Sequence, residues 1–72
     1  MMTQASTFDF FGDPLEVMWD GNVWVSPSNG QQHSRIGHAV RTECEFYLRS
    51  FGQTPEYFAD EIDAAIEAAA AN

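Results

Sequence analysis

Seventy-two residues support one hydrophobic core and leave no material for a second, so the chain is expected to fold as a single domain. Eleven Asp and Glu face three Arg and no Lys, and the formal net charge of −8 repels nucleic acid and anionic lipid and favours basic partners. A hydrophobic content of 44% with six Phe, two Trp and two Tyr argues against intrinsic disorder, and a single cysteine, Cys44, excludes an internal disulfide or a multi-cysteine zinc site.

Residues 1–6 carry no pattern and are expected to form a disordered tail, with a single α+β domain over residues 7–72. Thr7–Phe11 is β-prone and is followed by a turn cluster, Gly12-Asp13-Pro14, in which proline does not suit a central strand. Leu15–Trp19 and Asn22–Val25 flank Asp20-Gly21 and read as a hairpin. A two-residue Asp20-Gly21 loop would split the apolar residues between both faces. A three-residue Trp19–Gly21 loop gathers Leu15, Val17, Val23 and Val25 on one face and is the preferred register, with Glu16, Met18 and Trp24 on the other.

Ser26–Gln32 is polar, rich in turn formers, and reads as a linker. Ser34 then suits an N-cap, and Ile36, Val40, Cys44, Tyr47, Leu48 and Phe51 recur on one helical face before Gly52. Thr54-Pro55-Glu56 opens a second helix, with Thr54 as N-cap, whose buried stripe is Phe58, Ile62, Ala65, Ile66 and Ala69. The expected architecture is a three-stranded antiparallel sheet followed by a two-helix hairpin packed on it, βββαα.

No catalytic motif, cofactor or metal is indicated. Cys44 lies on the apolar face of its helix, where a thiol acts as a small hydrophobe. His33 and His38 are five apart, which does not align two ligands on a helix. The glycines are scattered and form no phosphate-binding loop. No apolar run is long enough for a membrane span and the N-terminus lacks a signal-peptide pattern, so neither membrane nor nucleic acid is an expected direct partner and the cytoplasm of a host cell is the expected location.

The charges are unevenly placed. Residues 1–34 hold four acids and no base, residues 35–49 hold three Arg and two Glu, and residues 50–72 hold five acids and no base. Arg41, Glu45 and Arg49 follow at i, i+4 and are expected to neutralise one another. In the second helix Glu56, Asp60, Asp63 and Glu67 fall within about a 60° sector at 100° per residue. Acids in the first turn complement the helix dipole, which accounts for Glu56. The later ones repel at i, i+4 with no lysine between them, so the row reads either as the solvated side of an amphipathic helix or as a partner-binding stripe. Asp13, Glu16 and Asp20, with Trp24, form a second candidate patch.

Residues 7–25, TFDFFGDPLEVMWDGNVWV, resemble the opening of the N-terminal domains of phage antirepressor and BRO-type proteins, through Phe8, Phe10, Gly12, Leu15, Val17, Asp20, Gly21, Trp24 and Val25. That resemblance implies a strand, a turn glycine, a second strand, an Asp-Gly turn and an aromatic-Val strand. The DNA binding associated with that family is opposed by the charge of this chain. In size and acidity the protein is similar to small phage-encoded anti-CRISPR and DNA-mimic inhibitors. The similarity implies a non-enzymatic inhibitor of a larger basic, nucleic-acid-binding host protein such as a Cas effector subunit. The alternatives are an adaptor or homodimer joined through Trp19, Trp24 and Phe46, or a small enzyme or metalloprotein using His33, His38 and Cys44.

Overall fold

The computed structural model describes residues 4–71. It contains β1 (Gln4–Phe10), β2 (Asp13–Trp19), β3 (Trp24–Val25), β4 (Gln32–His33), α1 (Ile36–Ser50), a 3₁₀ turn (Pro55–Phe58) and α2 (Ala59–Ala70). The strands form one antiparallel sheet in the order β1-β2-β3-β4, so β1 is an outer edge. α1 packs on β2, β3 and β4, and α2 packs on β1 and α1. The α+β class is as expected, but the sheet has four strands, because the end of the supposed linker pairs back: Gln32 lies opposite Val25 and His33 opposite Trp24. Among the described residues no helix is long and apolar enough to cross a membrane.

The β1–β2 turn is tighter than the sequence suggests. Phe11 and Gly12 both have positive φ, 52° and 83°, the signature of a two-residue type I′ loop whose twist matches that of the strands. Asp13 and Pro14 therefore belong to β2, opposite Phe10 and Asp9. Pro14 is tolerated because Phe10 and Asp13 close the loop as a hydrogen-bonded pair. Position 14 is then a non-bonded one, where an N–H would face away from β1, and β3 pairs only with Met18 and Trp19. At the other end β1 begins at Gln4 and not at Thr7. Gln4, Ala5 and Ser6, expected in the tail, pair with Trp19, Met18 and Val17, while the tail expected at residues 1–3 lies outside the described residues.

Neither expected register joins β2 to β3. Trp19 lies opposite Trp24, leaving Asp20, Gly21, Asn22 and Val23 as the loop. The Asp20 Oδ1 accepts the backbone N–H groups of Asn22 and Val23, both at 2.9 Å, so a side chain replaces turn hydrogen bonds that a shorter loop would make through the backbone. This register puts Leu15, Val17, Trp19 and Trp24 on the helix-facing side and sends Met18 and Val25 to the outer face. Trp24, expected on the other face, packs against the core, with its ring 5.2 Å from that of Trp19.

The core joins Phe8, Phe10 and Val17 of the sheet to Ala39, Val40, Cys44 and Leu48 of α1 and Ile62, Ala65 and Ala69 of α2. Burial of these side chains drives the sheet and helices together. α1 starts one residue later than expected: Arg35, in extended conformation, is its N-cap, and the Arg35 carbonyl accepts the first helical N–H groups. It ends in a Schellman motif, with the Gly52 N–H donating to the Arg49 carbonyl and the Gln53 N–H to the Leu48 carbonyl. Gly52 has φ 75°, as that motif requires. Thr54 holds the N-cap position of the second helical segment with Pro55 first, as expected, although the Thr54 hydroxyl makes no capping hydrogen bond. Its first turn is 3₁₀, however, with the Tyr57 N–H bonded to the Thr54 carbonyl three residues back.

Candidate functional site

The acids of α2 divide into two flanks. Asp60, Asp63 and Glu67 are all exposed and, at 100° per residue, occupy about a 60° sector on the side opposite the buried Ile62, Ala65 and Ala69. Glu61 lies on the other flank, facing Asp9 across a hollow floored by Phe10, Phe11, Ala64, Ala65 and Ala68. Glu56 departs from the expected stripe, because the 3₁₀ turn advances about 120° per residue and turns it toward Arg41, Glu45 and Ala59.

The stripe is not free of basic residues either. Arg41 reaches across from α1 to Asp63, with Nη2 and Oδ1 3.3 Å apart, and Arg49 alone pairs with Glu45, at 3.8 Å. The expected Arg41–Glu45–Arg49 ladder is therefore broken. A guanidinium on a long side chain finds a carboxylate on the neighbouring helix, and sequence spacing within one helix does not see it. Both side chains of the Arg41–Asp63 pair remain substantially exposed, so the pair is solvent-screened and contributes little to stability.

Asp13, Glu16, Asp20 and Trp24 do not form one patch. Asp13 and Asp20 lie at opposite ends of β2, seven residues or about 23 Å apart at strand rise. Asp13 is on the helix side, where it accepts the Tyr47 hydroxyl, while Glu16 is on the outer face. Asp20 is engaged in its own loop, and the backbone N–H groups it accepts hold its carboxyl below the ordinary value of 3.8.

Cys44 is completely buried, and burial, reinforced by the neighbouring Glu43 carboxylate, pushes its thiol from 9.0 up to about 12. His33 Nε2 lies 3.1 Å from the Thr42 hydroxyl, whose proton is given to the His38 carbonyl at 3.0 Å. The His33 and His38 rings stack at 6.4 Å. Among the described residues no group of three or more His, Cys, Asp or Glu is arranged to hold a metal.

Two features escape sequence reasoning. Glu43 is a buried acid: its carboxylate accepts the Ser26 hydroxyl, the Ser28 N–H at 3.0 Å and the Ser28 hydroxyl at 2.9 Å, fastening the β3–β4 loop to α1. Its only signal was a Ser-Pro-Ser segment supplying donors. The second is a group of aromatic rings at the β1–β2 end. Two of its rings are exposed, Phe51, expected in the buried stripe, at 64% and Phe11 at 54%; Phe46 of α1, which is not part of that group, is 46% exposed, whereas Trp19 and Trp24 are half-buried. Comparisons with protein families, with curated proteins and with solved structures return no match to this chain.

Proposed function

We propose that the protein is a non-enzymatic inhibitor that occupies the basic, nucleic-acid-binding surface of a larger protein through the acidic side of α2. The carrying observation is the exposed row Asp60, Asp63 and Glu67, relieved by a single guanidinium, on a chain of net charge −8. Such a surface attracts a cationic groove over a Debye length, about 8–10 Å at ordinary ionic strength, and accelerates encounter with it. Size and acidity support a concrete form of this reading: an anti-CRISPR-type inhibitor in the host cytoplasm, with a Cas effector subunit as partner. Asp13, Glu16 and Asp20 contribute to the overall field and are not a second contact patch.

The test compares immobilised wild-type protein with an Asp60→Lys/Glu67→Lys variant, both shown to be folded by circular dichroism, as baits in a host lysate. A protein retained by the wild type should elute on raising salt to ~0.5 M. It should escape the variant, and wild-type protein should displace nucleic acid from it. Equal retention by both baits, or retention indifferent to salt, would overturn the proposal and favour an apolar contact.

A further inference from the structure

At the end of the molecule where β1 turns into β2, a hollow of about 300 Å³ is lined by Phe11, Tyr47, Leu48, Phe51, Gln53 and Phe58. Its four aromatic rings come from three separate places: the β1–β2 turn, the end of α1 and the 3₁₀ turn. They brace one another at ring angles of 89° for Phe11 on Phe58 and 57° for Tyr47 on Phe51. Phe11 and Phe51 nevertheless keep more than half their surface in water.

Core packing accounts for Tyr47, Leu48 and Phe58 but not for the exposed rings of Phe11 and Phe51. Phe11 holds φ 52°, in the left-handed region, at a type I′ position that Asn or Gly fills without strain. A bulky residue held there with most of its ring exposed is the kind of outlier from which a functional role is argued. The surrounding charge then selects the ligand. The Tyr47 hydroxyl donates to Asp13, so one carboxylate stands directly beside a lining ring, while no Arg or Lys lines the hollow. Electron-rich ring faces with the Asp13 carboxylate beside them, on a chain of net charge −8, favour an organic cation, above all a planar guanidinium that stacks on a ring and donates from its edge. The volume lies at the small end of the range for ligand clefts, about 300–1,000 Å³, and suits one side chain better than a helix.

We propose that this hollow takes the guanidinium of a single arginine from a basic protein partner. The site shares with the α2 surface the sign of its partner's charge, but none of Asp60, Asp63 and Glu67 lines the hollow, so either proposal can fail alone.

The probe is a capped Ala-Arg-Ala tripeptide, titrated into the whole protein and followed by the aromatic NMR signals. Its citrulline counterpart, equal in shape but uncharged, is the control. Saturable shifts of the Phe11, Tyr47, Phe51 and Phe58 rings are expected with arginine, and citrulline should bind about tenfold more weakly. Phe51→Ala, which removes a ring mostly in water, should weaken binding to a similar degree. Phe11→Asn, which suits the turn, should do the same with the fold intact. Glu67→Lys, two turns further along α2, should leave the ring shifts in place. Equal binding of citrulline, absence of ring shifts, or shifts that follow protein concentration without peptide would each overturn the proposal, the last pointing to a second copy of the chain as occupant.

Discussion

Glu43→Ala is the most informative perturbation of the fold. It strands the Ser26 hydroxyl, which is completely buried, and the Ser28 N–H, which water can partly reach. A stranded buried donor costs about 1–3 kcal/mol, and the Glu43 methylene lost from the interior adds about 0.8 kcal/mol. With the partly solvated Ser28 counted at the low end, the total is about 3 kcal/mol. A chain of this length has only about 4–11 kcal/mol of stability in all. At about 4–8 °C per kcal/mol, Tm should fall by roughly 12–24 °C. Glu43→Gln keeps the shape and one carbonyl oxygen and should cost about half as much. Urea unfolding followed by fluorescence of Trp19 and Trp24 measures both, with the slope unchanged. The cycle with Ser26→Ala should show coupling, because the second substitution removes the donor that the first leaves stranded. A Glu43→Ala midpoint within about 0.5 kcal/mol of wild type would refute the idea that this carboxylate fastens the loop.

Other outcomes follow from the same geometry. Cys44 should resist thiol reagents at neutral pH and react only through unfolding, with labelling rising along the urea transition; prompt modification of the native protein would contradict its burial. Its thiol also sets a pH trend. Between the ordinary 9.0 and about 12 the unfolded chain has released a proton that the folded chain retains, so stability falls as pH rises through that window and is unaffected below it. Tyr47 acts in the same direction above 10.0, and Asp13→Asn should bring its tyrosinate absorbance titration back toward the ordinary value. Arg41→Ala frees Asp63 and makes the α2 surface more negative, so it should tighten binding to a basic partner several-fold at low salt and much less at high salt. Weaker binding by that variant would place Arg41 in the contact itself.

Much of the fold was legible because local pattern and burial agree. The apolar faces of both helices, the Gly52 stop, the Thr54-Pro55 start and the β2–β3 hairpin all follow from spacing and turn chemistry. Where reading failed, a side chain did something its letter does not announce. Asp20 builds a four-residue loop through its carboxylate, which moves Trp24 to the core side of the sheet. Pro14 enters a strand because its neighbour on that side is too short to need its N–H. The 3₁₀ turn rotates Glu56 away from a stripe drawn at 100° per residue, and Arg41 chooses a partner on another helix. Of the candidate site, the exposure of Asp60, Asp63 and Glu67 could be read from the sequence. The aromatic hollow could not, because its rings are scattered over 48 positions of the chain, from Phe11 to Phe58. A hairpin carrying Phe-Gly where Asn-Gly is usual was the one sign of it.

The position of β1 at the margin of the sheet bears on self-association in concentrated solution. Its seven residues, Gln4–Phe10, run in unbroken register with β2 and contain neither lysine nor proline, the usual deterrents to lateral joining. Colloidal repulsion at a net charge of −8 takes over that duty. The protection is conditional on pH: near the isoelectric point of about 4.2 the repulsion vanishes while the template remains. Acidification toward that pH should therefore promote sheet-like assemblies seeded along that strand, seen as a rise in light scattering and in thioflavin fluorescence.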